Sequence, residues 1–169
     1  KQLRQAIAEQ LGRINELVEY QLQRASIAGE SSDFSKVEVN QVLTKIVRSL
    51  DKVYAEKQIE TQIVINSTVF LKADEGDLME LLGNLLDNAY KYGNKKVRVQ
   101  LYENKHNIEI YIEDDGNGIE KALYKELLQR GSRADIIAPG HGIGLGIVND
   151  ICKQYHAQIE LSQSKLLTG

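Results

Sequence analysis

The sequence predicts an α+β protein: a two-layer α/β sandwich with a mixed sheet, helices on one face, and an N-terminal amphipathic helix in addition. Two observations carry this expectation. Apolar residues at helical spacing alternate irregularly with short runs at strand spacing, and two of those runs lie close enough to close as an antiparallel hairpin. Composition sets the bounds. The 169 residues, 42% hydrophobic and 27% charged, suit one domain of ordinary size with an appendage and are ample for a core. They exclude a collagen-like or low-complexity chain. One Cys rules out a disulfide framework or a cysteine zinc site and suggests a reducing compartment. A net charge of −3 argues against a broad nucleic-acid footprint, so no nucleic-acid partner is expected. No apolar run approaches the ~20 residues of a membrane helix, and no signal peptide opens the chain.

Residues 1–28 carry Leu3, Ile7, Leu11, Ile14, Leu17, Val18, Leu22 and Ala25 at steps of three and four, a helical stripe that stops at Gly29–Asp33. Such a stripe needs a surface to cover it; a partner helix is expected, with packing on the rest of the same domain as the alternative. Asn40 to about Glu56 is a second amphipathic helix, with Val42, Leu43, Ile46, Val47, Leu50 and Val53 on its apolar side. Ile59 to Ile65 alternates as a strand, and Val69–Leu71 is a short companion. Asp74–Tyr92 is a long helix burying Leu78, Leu81, Leu82, Leu85 and Ala89. Lys96–Glu103 and Asn107–Asp114 form the hairpin, turning near Asn104-Lys105-His106. Ile143–Tyr155 is the last helix and Gln158–Ser162 a last short strand.

Seven of the 13 glycines lie between Gly116 and Gly146, where even spreading predicts about two. The only proline, Pro139, falls there too. Glycine collects where backbone turns through positive φ or approaches a ligand closely. Three local patterns accompany the excess. On the long helix, Asn84, Asn88 and Lys91 fall within roughly 60° of one another beside the apolar arc. Amide oxygens are hard ligands that suit Mg²⁺ and the ammonium suits a phosphate, although a solvated helix face accounts for the same residues taken alone. Asp114-Asp115-Gly116-Asn117-Gly118 ends a strand; it reads as a turn, or as a carboxylate accepting a base amine with glycines giving access. Gly140-His141-Gly142-Ile143-Gly144-Leu145-Gly146 opens a helix, where successive N–H groups and the helix dipole make an anion site. It lacks the strand-before context and downstream acid of a dinucleotide fingerprint, and no Gly-Lys-[Ser/Thr] of a P-loop occurs. Between the loops, Arg130 and Arg133 flank Gly131, as charge clamps or as surface arginines.

In this order the three patterns closely resemble the N, G1 and G2 boxes of the ATP-binding domain of sensor histidine kinases, in the superfamily that also holds gyrase, mismatch-repair and Hsp90 ATPases. The resemblance covers about residues 36–169, and "RASIAGE", "QRGSRAD" and "APGHGIGLGIV" are most similar to the PhoQ-type magnesium-responsive sensors. It implies the Bergerat ATP-binding fold over 36–169, with 1–30 as the second helix of a dimerisation and histidine-phosphotransfer hairpin. It implies that Asn84 and Asn88 coordinate Mg²⁺ with the ATP phosphates, that Lys91 contacts phosphate, and that Tyr92 lies by the ribose or adenine. Asp114 would accept the adenine N6 amine, with Gly116, Gly118 and Ile119 shaping that pocket. Residues 119–141 would form the ATP lid, from which Arg133 reaches the γ-phosphate. His141, Gly142, Ile143, Gly144 and Leu145 would line the triphosphate. Asn84, Lys91 and Arg133 are thus the expected catalytic residues.

The sequence departs from the family pattern in places. Leu127 and Leu128 stand where relatives often have an aromatic, Ala138 where some have a second lid arginine, and His141 where others have Gln, Thr or Ser. No His-[Glu/Asp]-x-x-x-Pro phosphoacceptor occurs: His106 precedes Asn107, His141 precedes Gly142 and His156 precedes Ala157. The expectation is therefore a portion of a longer kinase, with a final strand missing. The resemblance implies the cytoplasmic portion of a bacterial inner-membrane sensor kinase, homodimeric as a whole. Its partners would be its own dimerisation and phosphoacceptor domain and a cognate response regulator. Hydrolases of the same fold carry a general-base glutamate where Asn84 stands, and an amide cannot accept a proton at neutral pH. Phosphoryl transfer to a protein histidine is therefore expected ahead of ATP hydrolysis. A non-catalytic ATP-binding or dimerisation module is the other alternative, disfavoured by the intact motifs, although this portion without an acceptor is expected to bind ATP and not to label itself.

Overall fold

The computed structural model describes residues 35–105, 107–129 and 143–164, all within the unit Ser35–Gly169. The helix expected over 1–28 lies outside the described residues. The described elements are β1 (Lys36–Glu38), α1 (Val39–Val53), β2 (Glu60–Ile65), β3 (Phe70–Lys72), α2 (Glu75–Tyr92), β4 (Lys96–Glu103), β5 (Ile108–Asp114), α3 (Tyr124–Gln129) and α4 (Ile143–Gln154).

β2 pairs parallel with β4, and β4 antiparallel with β5, giving a mixed three-stranded sheet of order β2-β4-β5. The β4–β5 hairpin closes where its turn was expected. Asn104 and Asn107 exchange bonds there, the Asn107 N–H donating to the Asn104 side chain at 2.9 Å and the Asn104 N–H to the Asn107 carbonyl at 2.9 Å. Period-two alternation decides the faces. Val97, Val99 and Leu101 are buried beneath the helices, with Ile63, Ile65, Ile108, Ile110 and Ile112 packed against them. Exposed Tyr102 and Tyr111 stand on the opposite face. β1 and β3 pair separately as a short antiparallel ribbon.

α1 lays Val39, Val42, Leu43, Ile46 and Val47 on this core. Val53, expected on the same stripe, is 73% exposed and is the last residue of the helix. β1 was not foreseen. α2 begins with the Asp74 side chain accepting the Asp77 N–H at 3.0 Å, with Glu75 and Asp77 complementing the helix dipole. Its buried residues are Leu78, Leu82, Leu86, Ala89 and Tyr90. Leu81 and Leu85 are only partly covered. At 100° per residue these two are turned toward Asp77, Asn84 and Asn88, the side on which α4 packs. The apolar arc of α2 thus serves two neighbours, and its buried centre is rotated away from the α4 side relative to the expected one.

Tyr90 fills the junction of α1, β2 and α2. Its hydroxyl donates to Asp51 at 2.7 Å and shares a 2.5 Å bond with Thr61. Burial, offset in part by Thr61 and reinforced by Asp51, pushes that hydroxyl up to about 12, so it remains a donor throughout the ordinary pH range. α4 runs antiparallel to α2. At its far end the Tyr155 hydroxyl donates to Asp77 at 2.7 Å and accepts the Asp74 N–H at 3.0 Å, while Val148, Ile151 and Cys152 are buried along its length. The strand expected at Gln158–Ser162 forms no ladder. That segment is joined to the sheet by a side chain instead, the Ser164 hydroxyl on Glu113 at 2.5 Å.

Adjacent positions on α2 should respond oppositely to alanine. Leu82→Ala removes a fully buried side chain and is expected to cost about 2–5 kcal/mol. A methyl group on Gly83 meets nothing within 4 Å, and Gly83→Ala should add up to about 1 kcal/mol by restricting the unfolded chain. Urea unfolding midpoints at unchanged slope check both.

Candidate functional site

α2 carries the site along its length. Asn84 and Asn88 sit half-buried, one turn apart, on the side facing α4. The Asn84 amide nitrogen donates to the Glu80 carbonyl at 2.8 Å, which fixes its rotamer and turns the amide oxygen toward α4. A Cβ on Gly144 would stand 2.7 Å from that oxygen, so the first turn of α4 lies against Asn84 with no space for a larger residue. Asn88 makes no hydrogen bond among the described residues. The N-terminal N–H groups of α4 lack intrahelical acceptors and carry partial positive charge. The Asn84 amide and a helix N-terminus therefore meet at one end of the site, with Asn88 one turn further along the same side of α2.

The other end lies about 12 Å along α2, eight residues at 1.5 Å each. There the end of β5 meets the end of α2. Asp114 is half-buried, one carboxylate oxygen accepting the Gly116 N–H at 2.9 Å and the other making no hydrogen bond among the described residues. Burial pushes its carboxyl above the usual aspartate range, the Gly116 N–H and Lys57 pull it back, and neighbouring Asp115 adds to the rise. A Cβ on Gly116 would stand 2.4 Å from the Tyr92 carbonyl oxygen and 2.7 Å from the Asp114 carboxylate, so only glycine permits this approach. Gly118 needs glycine for another reason, its left-handed φ of +68°. Tyr92 is 45% exposed, with the Lys91 ammonium 5.3 Å from its ring centroid, and Ile119 is 39% exposed.

The structure thus brings Asn84 to Gly144 and Tyr92 to Asp114 and Gly116, with Asn88 on the helix between them and Ile143 and Leu145 in the first turn of α4. Arg133, His141 and Gly142 lie outside the described residues, as do 130–140 of the expected lid.

Two neighbours of the site escaped sequence reasoning. Asp115 looks like half of a turn signal, yet its carboxylate accepts the N–H groups of Asn94, Lys95 and Lys96 at 2.8, 2.9 and 3.0 Å, stapling the α2–β4 turn to the end of β5. Burial alone would raise its carboxyl; the backbone donors outweigh that and hold it below the usual range. The run Asp-Asp-Gly was the only available sign. Lys57 reaches the end of α2 from the turn after α1, and no local pattern marks it.

Residues 73–168 match the family of histidine kinase-, DNA gyrase B- and HSP90-like ATPases, and the chain belongs to that family. Within it, the chain is 34% identical over 160 residues to the virulence sensor histidine kinase PhoQ of Salmonella typhimurium, covering 94% of this chain and 33% of that protein. It is also 34% identical over 157 residues to the two-component sensor PhoQ of Pseudomonas aeruginosa, covering 93% and 35%. It spans about a third of the length of these relatives. Among solved structures, the mycobacterial sensor histidine kinase MprB superposes with a TM-score of 0.63 at 25% identity, over 73% of this chain and 80% of that one. The α+β sandwich is that of histidine kinase ATP-binding domains.

Gly116→Ala should drive Tyr92 and Asp114 apart and cost about 1–3 kcal/mol, lowering the thermal midpoint. The lowered Asp115 carboxyl contributes stability that is fully present above its unfolded value of about 4 and is lost as pH falls through its folded value. The stability gap between wild type and Asp115→Asn is therefore expected at neutral pH and should narrow below about pH 4, measured by urea unfolding across pH.

Proposed function

We propose that this chain binds Mg-ATP and hands the γ-phosphate to a histidine on a separate dimerisation domain of a sensor histidine kinase. The observation that carries the reading is the polarity of the site. A half-buried carboxylate, with one oxygen making no hydrogen bond among the described residues, stands at one end of α2, and the Asn84 amide lies against the first turn of α4 about 12 Å along the helix, with Asn88 between. The first suits a base amine, because a partly desolvated acceptor selects strongly for a donor. The second suits phosphates, because N–H groups at a helix start favour anions. In this reading Tyr92 and Ile119 flank the base, Gly116 and Gly118 admit it, Lys91 meets phosphate, and Arg133, His141 and Gly142 complete the phosphate end with Ile143, Gly144 and Leu145.

Mg²⁺ fits the donors present. The described residues hold no cluster of three His, Cys, Asp or Glu side chains to cage an ion, while Asn84 and Asn88 offer hard amide oxygens beside the phosphate end. Bound there with the nucleotide, the ion supplies charge neutralisation. The protein's own share is to position the phosphates and exclude a base. Asn84, held by the Glu80 carbonyl, cannot take a proton from water, which disfavours hydrolysis and leaves the phosphoryl group for an incoming imidazole. As to location, no helix among the described residues is long and apolar enough to cross a membrane. We place the chain in the cytoplasmic portion of an inner-membrane sensor whose output is a response regulator.

A fluorescent ATP analogue should bind saturably and more tightly with Mg²⁺, and Asp114→Ala should abolish that binding; retention in the variant sinks the assignment of Asp114. With labelled ATP and a separately supplied helical-hairpin domain, label should appear on a histidine of that domain. Sustained phosphate release without acceptor labelling would identify a hydrolase instead.

A further inference from the structure

Lys57 lies outside every motif the sequence offers, yet its side chain is bonded to the end of α2. Its ammonium donates to the carbonyls of Tyr90, Lys91 and Gly93 at 2.8, 2.7 and 2.9 Å. An ammonium has three N–H groups, and here all three are spent on one helix terminus. Those carbonyls are the ones a helix leaves without partners, and they carry the negative end of its dipole, so a cation there is favoured twice. The turn that presents Lys57 is itself held. The Lys95 ammonium donates to the Lys57 carbonyl at 3.0 Å, and Gln58 takes a left-handed φ of 52° as the chain reverses into β2.

The same backbone forms a wall of the Asp114 loop. The Tyr92 carbonyl lies against Gly116, and a Cβ on Gly93 would stand 3.3 Å from the Asp114 Cβ. Whatever fixes residues 90–93 therefore fixes Asp114. We propose that Lys57 is a positioning residue for nucleotide selection: its ammonium locks the last turn of α2 so that the Asp114 carboxylate is held in register to read the base. The inference rests on the assignment of Asp114 to the base amine. Its electrostatics agree, since the Lys57 charge opposes the effect of burial and of Asp115 on the Asp114 carboxyl.

A purely structural lysine and a positioning lysine differ in what they do to selectivity. ATP and ITP share ribose, phosphates and metal and differ at the base, where ITP lacks the N6 amine. Displacement of a fluorescent ATP analogue by each nucleotide, in the presence of Mg²⁺, gives the ITP:ATP ratio of dissociation constants. Wild type should favour ATP. Lys57→Met should weaken ATP by about tenfold, the size of one charge-assisted interaction, while ITP weakens less, so that the ratio falls toward one. Lys57→Gln, which keeps two of the three donors, should give an intermediate ratio, and it carries the test if the Met variant does not fold. Equal weakening of ATP and ITP, with the ratio kept in the variants that fold, overturns the proposal while leaving the role of Asp114 intact. A wild-type ratio of one overturns the base assignment, and the proposal with it.

Discussion

The contact on which the rest of the site depends is the one between two backbones. The carbonyl of Tyr92, at the end of α2, lies so close to Gly116 that no side chain fits between them. Everything nearby serves that approach. Asp115 holds the turn leaving α2 through three N–H groups, Gly93 keeps its own side clear, and the Lys57 ammonium gathers the helix's last carbonyls. The result is a carboxylate, Asp114, fixed at the mouth of a strand–helix junction. Its partial burial makes it selective about what it accepts.

The opposite end of α2 is held differently. α4 is fastened to the start of α2 by Tyr155, Asp77 and the Asp74 N–H, with Val148 and Ile151 buried between. Because the two helices run antiparallel, fastening one end of α4 brings its other end to Asn84. The phosphate end of the proposed site is thus placed by a polar clamp at the other end of α4, among residues that touch no ligand in the proposed reading.

Much of this was legible in the sequence, for reasons that differ by element. α2, β4 and β5 follow strong periods, and their boundaries fall within a residue or so of expectation. Asn84, Asn88, Asp114 and the glycines stand out because their residue types are poor choices for their elements unless something polar must be met. Leu86 and Tyr90 displaced Leu81 and Leu85 in the core because a helix with two neighbours has a wider apolar arc than one period can resolve. Val53 kept the period but stands exposed at the last position of its helix. Gln158–Ser162 has strand spacing, but pairing is decided by the partner, and its link to the sheet runs through Ser164 and Glu113. Lys57 had no signal at all: its acceptors are carbonyls more than 30 residues on, and a carbonyl leaves no mark on sequence.

The antiparallel pairing of α2 and α4 has an electrical consequence. Beside the site, α4 presents its positive pole and α2 its negative one, and the Lys57 ammonium offsets the α2 pole, leaving the neighbouring Asp114 and Asp115 carboxylates as acidic groups at that end. A ligand thus meets a field that reverses sign along its length. In the proposed reading, a molecule that is anionic at one end and offers a hydrogen-bond donor at the other is favoured in a single direction. On that reading the two helix poles sort ligands by orientation before any side chain moves.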